Sequence, residues 1–190
     1  MCSDLAHERQ KLENSAPKTI KPVYKNHLLQ LFEESLVIGK KTLTRAWVKH
    51  PGAVVILPIL ANKKIALIKQ YRRAIDEIII ELPAGIIEPD ENPKDTASRE
   101  LQEEIGYYAH EITYLLEFYA TPGFCNEKIR LYLAQNLEKK SLDGDEDEAI
   151  DVFELDEEEI KRYIKNRKII DAKTLTALLY YLNLKSDGKI

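Results

Sequence analysis

Residues 85–107 constrain this 190-residue chain more than any other stretch. Asn92-Pro93 reads as the start of a helix. Asn is a strong N-cap, and Pro at the first helical position forfeits no hydrogen bond. Ala97, Leu101 and Ile105 recur at i, i+4 and i+8 and give this helix one apolar stripe, which Gly106 ends. Beside the stripe, Glu100, Glu103 and Glu104 share a face about 100° wide. Like charges at this spacing repel by about 0.2–0.5 kcal/mol per pair, so something positive should offset them. Two sources are available: Arg99, next to Glu103 on the helix circumference, and a bound divalent cation. Oxygen-only ligands suit Mg²⁺, with Mn²⁺ as the alternative metal. The other reading is a solvated acidic face, which is what most charge runs are.

Around that helix the chain divides into three parts. Residues 1–22 are polar with scattered apolar positions and read as a mobile arm, a short helix being the alternative. Residues 23–49 read as an N-terminal antiparallel strand extension, with strands over 28–38 and 42–48 joined at Gly39-Lys40-Lys41. Two or three strands alone are marginal, so this part should lean on another surface. His50-Pro51-Gly52 punctuates the chain, and residues 50–190 form the main domain. There, dense apolar runs over 53–60, 65–71 and 75–82 read as strands buried on both faces. Further strands are expected over 112–119, 129–135 and 150–155. Helices are expected from Asp156, with Glu157–Glu159 in a favourable first turn, and from near Asp171. Strands interleaved with helices imply an α/β fold whose sheet is covered on both faces.

Composition excludes several classes. The only cysteines, Cys2 and Cys125, cannot build a disulfide scaffold or a four-cysteine zinc site. No run of 18 apolar residues and no signal-peptide core is present, so no membrane partner is expected and the cytoplasm is the expected compartment. The net charge of −4 hides a polarised chain. Residues 143–159 hold 11 acidic side chains and no Lys or Arg, which leaves the remainder net basic. A basic body suits a small anionic substrate drawn to a metal centre.

The full spacing is more specific. Gly85, five residues, Glu91, seven residues, then Arg99-Glu100-Leu101-Gln102-Glu103-Glu104-Ile105-Gly106-Tyr107 resembles the Nudix box, G-x5-E-x7-R-E-U-x-E-E-x-G-U, where U is bulky and aliphatic. Every fixed position matches, and only Tyr107 departs, at a packing position. A match by chance at this chain's composition has a frequency on the order of 10⁻⁶. Glu81-Leu82-Pro83-Ala84-Gly85 resembles the E-x-P-A-G entry of the ADP-ribose pyrophosphatase branch, and Gln70-Tyr71-Arg72 its Q-[YF]-R. Pro122, sixteen residues after Gly106, stands where that branch has a marker proline, with Thr121 in place of the commoner Ser.

The resemblance implies an α/β/α sandwich around a mixed sheet and metal-dependent hydrolysis of a diphosphate. It assigns metal to Glu100, Glu104 and Glu103 and to the carbonyl of Ala84. Arg99 would orient and partly neutralise the glutamates, and Glu91 would either brace the loop or support the metal from behind its direct ligands. Arg72 would read the substrate diphosphate, with Glu81 lining the site. Glu148 best fits the branch's general base, on a loop outside the box, with Glu146 second. The N-terminal strands would pair across a two-fold axis into a homodimer. There Arg45 could reach a phosphate, while Trp47 would either anchor the core or the interface or stack on an adenine. The implied reaction hydrolyses the diphosphate of ADP-ribose, giving AMP and ribose 5-phosphate, or that of a related nucleoside diphosphate sugar. A GDP-mannose or other sugar-nucleotide pyrophosphatase is the alternative. A sensor that binds ADP-ribose without cleaving it belongs to another class, and it usually lacks box glutamates that this chain keeps. No nucleic-acid partner is expected, on the family marks more than on charge.

Overall fold

The computed structural model describes residues 4–142 and 149–189, which divide into two compact units. The first comprises the described residues up to Pro51 together with Thr121–Glu127. It holds helix α1 (Asp4–Ser15) and strands β1 (Lys18–Lys25), β2 (Gln30–Ile38) and β3 (Lys41–Lys49). The strands run antiparallel in the order β1-β2-β3. Within the segment read as a mobile arm or, alternatively, a short helix, the described residues hold helix α1 and the start of β1 at Lys18. Neither element has a strong sequence signal, for a physical reason. Helix α1 buries no side chain and β1 is exposed at every position, so neither carries a hydrophobic period. Pro22 is tolerated because β1 is an edge strand, and the register shifts beside it. The Asn26 side chain accepts hydrogen bonds from the Leu28 and Leu29 amides and closes the turn into β2. Residues 121–127 join β3 through Val48 N to Phe124 O (2.7 Å) and Asn126 N to Val48 O (3.2 Å).

The second unit carries strands β4 (Ala53–Pro58), β5 (Ile65–Arg72), β6 (Glu77–Glu81) and β7 (Ala84–Ile86), then helix α2 (Pro93–Glu104). Strands β8 (Tyr107–Tyr119), β9 (Lys128–Lys139) and β10 (Ile150–Leu155) follow, then helices α3 (Glu157–Lys165) and α4 (Ala172–Ser186). One sheet is ordered β7-β4-β9-β8 and the other β10-β5-β6; β4 and β9 are parallel and the remaining pairs antiparallel. Strand period decides the layers. Val54 and Ile56 of β4, with Ala66 and Ile68 of β5, pack with Ala97, Leu101 and Ile105 beside α2. Val55 and Leu57, with Ile65 and Leu67, pack with Ile160 of α3 and Ala177, Leu178 and Tyr181 of α4. Both faces are therefore covered, and the α/β/α sandwich expected from the sequence is the fold. Each fully buried Leu or Ile in these layers contributes about 1.5–3 kcal/mol.

Local chemistry explains the shifted boundaries. The expected strand 75–82 begins at Glu77 because the Ile75 and Asp76 amides turn back to Arg72 O and Asp76 adopts a φ of 57°. The short strand β7, which the sequence reading did not mark, follows Pro83 and pairs antiparallel with β4 through Ala84, Gly85 and Ile86. Helix α2 behaves as its caps direct: Asn92 accepts from Lys94 N at 2.9 Å, Pro93 opens the helix, and Gly106 takes a φ of 72°. No described helix is long and apolar enough to cross a membrane.

Candidate active site

The site is built where the end of β6, the short strand β7 and the carboxylate face of α2 meet. Gly85 makes their approach possible. A Cβ built at that position would stand 1.8 Å from Glu100 Oε1, so only glycine lets this carboxylate lie against the β7 backbone. One turn further along α2, Glu104 Oε2 accepts a hydrogen bond from Ala84 N at 2.9 Å. Glu100 and Glu104 are both buried, although they belong to a charge run that composition alone would place in solvent.

Arg99 answers the repulsion among the glutamates. Its Nη1 donates to Glu100 Oε1 (2.8 Å) and Glu103 Oε2 (2.7 Å), and its Nε donates to Glu91 Oε1 (3.0 Å). Its Nη2 reaches Glu91 Oε2 and Ile86 O. The Glu91 hydrogen bond, followed by the Glu100 and Glu103 charges, holds Arg99 above the ordinary arginine range against the opposing effect of burial. Glu91 is pulled below the usual carboxylate range by Arg99 first, with Thr96 Oγ1 and the Glu88 amide adding donors. Glu91 thus braces the loop onto the helix.

At the end of β5, Arg72 forms a two-pronged pair with Glu81, Nε to Oε1 at 2.6 Å and Nη2 to Oε2 at 2.7 Å. Lys173 in the first turn of α4 also donates to Glu81 Oε2. Burial alone would raise the Glu81 pKa, but Arg72 and Lys173 overcome it and hold the group below the usual range. Sequence reading missed Lys173. Its one local signal is a cation in the first turn of a helix, where the dipole disfavours it.

These two depressed carboxylates set an acid limit on stability. Their contribution is fully present above the ordinary glutamate value of 4.5 and is lost as pH falls through their lowered folded values. Glu81→Gln is expected to cost about 2 kcal/mol at pH 7, a figure discounted because Arg72 is partly exposed. In urea unfolding, the gap between wild type and variant should begin to narrow as pH drops below about 4.5, where the unfolded wild-type group protonates, and close only below the lowered folded value, where the folded group is protonated too. A gap independent of pH would contradict this assignment.

Two further expected residues, Arg45 and Trp47, belong to the first unit. Arg45, expected near a phosphate, is in the first unit and pairs through both Nη atoms with Glu13 of α1, at 2.8 Å each. Arg45 and Arg9 together hold Glu13 down at about 2. Trp47 stacks on its cross-strand partner Phe32, with centroids 4.6 Å apart. Glu148 and Glu146 lie outside the described residues. Among the described residues no three His, Cys, Asp or Glu side chains converge as a ready metal cage, and Arg99 bridges Glu100 and Glu103 instead. The donor chemistry nevertheless fits Mg²⁺ or Mn²⁺. Glu100, Glu103, Glu104 and the Ala84 carbonyl are all hard oxygen donors, and Gly85 leaves room for the Glu100 carboxylate beside that strand.

The NUDIX domain family model matches residues 49–175. The chain is 42% identical over 154 residues to the methanol dehydrogenase activator of Bacillus methanolicus, covering 80% of this chain and 83% of that protein. It is 39% identical over 168 residues to an ADP-ribose pyrophosphatase of Bacillus subtilis (strain 168), covering 86% and 89%. The crystal structure of an ADP compounds hydrolase superposes with a TM-score of 0.76 at 25% identity, covering 90% of this chain and 95% of the other.

Proposed function

The chain belongs to the Nudix family and is a hydrolase, and from that premise we propose that it cleaves the diphosphate of ADP-ribose to AMP and ribose 5-phosphate. The observation that carries this reading is the Glu104–Ala84 hydrogen bond. It ties the carboxylate face of α2 to the strand that follows Glu81, and so to the Arg72 fork. In this mechanism the Arg72 guanidinium holds the diphosphate in a fixed orientation, as a planar fork suits. Arg99 keeps Glu100 and Glu103 aimed at one side of the helix. Glu148 takes a proton from the attacking water, with Glu146 as the second candidate. The water oxygen bonds to one phosphorus, the P–O–P bridge breaks, and the other phosphate leaves. Glu100, Glu103, Glu104 and the Ala84 carbonyl would hold Mg²⁺ or Mn²⁺, which when bound would supply neutralisation of the diphosphate charge and a lowered pKa for the water.

We also propose that the chain works in the cytoplasm as a homodimer paired through β1–β3, where Trp47 anchors the interface and Arg45 faces a phosphate. Pairing through an extension with many exposed positions suits the commonest oligomeric form.

A panel of ADP-ribose, GDP-mannose, ADP-glucose and NADH with Mg²⁺ tests the substrate. The highest kcat/KM is expected on ADP-ribose, and a preference for GDP-mannose would move the reading to the sugar-nucleotide alternative. The 42% identity to the Bacillus methanolicus protein favours a second reading, activation of a methanol dehydrogenase. Adding the chain to a dehydrogenase assay scores that reading, and an unchanged rate rejects it.

A further inference from the structure

Glu81 is 1% exposed, yet two cations converge on it. The Arg72 fork already donates to both of its oxygens, so neutrality does not call for Lys173 as well. Lys173 is also poorly placed on its own account. Its side chain is 14% exposed, and it sits in the first turn of α4, where the helix dipole opposes a positive charge. Asp171 offsets part of that cost. This N-cap residue accepts from Thr174 N through Oδ2, and the same oxygen lies 3.2 Å from Lys173 Nζ. Arg72, Glu81, Lys173 and Asp171 therefore form an alternating chain of two cations and two anions. One residue along, Leu82 N donates to the buried Thr174 Oγ1 at 2.9 Å. The first turn of α4 is thus tied to two consecutive residues just before Ala84 and Gly85. The Thr174 bond anchors the helix to the backbone, whereas the Lys173 bond reaches only the Glu81 carboxylate.

We propose that Lys173 is a positioning residue that holds Glu81 in one orientation and, through Glu81, fixes the Arg72 fork that receives the substrate diphosphate. The inference rests on the reading of Arg72 as the diphosphate-binding group. Arg72 is 38% exposed and its side chain has many rotamers. A carboxylate held only by that arginine would swing with it. A second cation from a different element removes the shared freedom before substrate arrives, so less orientational entropy is lost on binding.

The test uses the full chain as wild type, Lys173→Met, Lys173→Arg, Arg72→Met and the Arg72→Met/Lys173→Met double variant. Methionine keeps an unbranched apolar stem without the charge, and arginine keeps the charge. Steady-state kinetics on ADP-ribose with Mg²⁺ are paired with calorimetric titration of ADP-ribose in EDTA, which reads Kd without turnover. Lys173→Met is expected to raise KM and Kd about tenfold with kcat changed less than threefold, and Lys173→Arg to recover most of the loss. In the Arg72→Met background the Lys173 substitution should add nothing to Kd. An unmoved Kd in Lys173→Met, or the same penalty with and without Arg72, overturns the inference alone. A wild type that neither binds nor cleaves ADP-ribose overturns the functional reading and this inference together.

Discussion

Glu104→Gln is expected to lower kcat on ADP-ribose about 10³-fold with little change in folding stability, because it removes charge and keeps shape. Glu104 Oε2 accepts from Ala84 N, and the amide oxygen of glutamine can accept the same bond, so α2 and β7 stay joined. What disappears is one of the negative oxygens proposed to hold metal against the diphosphate. Thermal unfolding and turnover measured on the same preparation separate the two effects. Near-normal turnover in a folded variant would remove Glu104 from the metal assignment.

Gly85→Ala probes the same site through space rather than charge. The added methyl would stand 1.8 Å from Glu100 Oε1 and 1.9 Å from its Cδ, far inside contact distance. A flexible side-chain end can move away, so the expected loss of stability is modest, about 1–2 kcal/mol. The catalytic loss is expected to be larger. Glu100 can retreat only by leaving its 2.8 Å bond to Arg99, and a displacement of about 1 Å at a reacting centre can cost on the order of 10²-fold in rate. Activity should therefore fall about 10²-fold while unfolding shifts by only a few degrees. Full activity in the alanine variant would show that Glu100 need not lie against β7.

Local signals explain what could be read in advance. The caps and stripe of α2 were legible because Asn92, Pro93 and Gly106 act within a turn of their own positions. Leu101 and Ala97 are fully buried as their spacing requires. The β4 run was legible because both of its faces meet helices and no polar residue interrupts it. Strand β1 was not, since an exposed edge strand with two lysines at its ends and Pro22 inside has no buried face to impose alternation. The box spacing marked Gly85, Arg99 and the glutamates. It placed Arg99 beside Glu103 but did not reveal the shared Nη1 that also donates to Glu100, because that depends on rotamers. Lys173 escaped for a different reason: its partner lies 92 residues earlier in the chain, and the sequence around it shows only an ordinary helix start.

Product analysis on the wild-type chain tests the central claim most directly. Purified protein is incubated with ADP-ribose and Mg²⁺ in ¹⁸O-labelled water, and the products are separated and weighed by mass spectrometry. The account predicts equal amounts of AMP and ribose 5-phosphate, with a single ¹⁸O in the phosphate of one of them and none in the other. ADP-ribose recovered intact, whether bound or free, would contradict it.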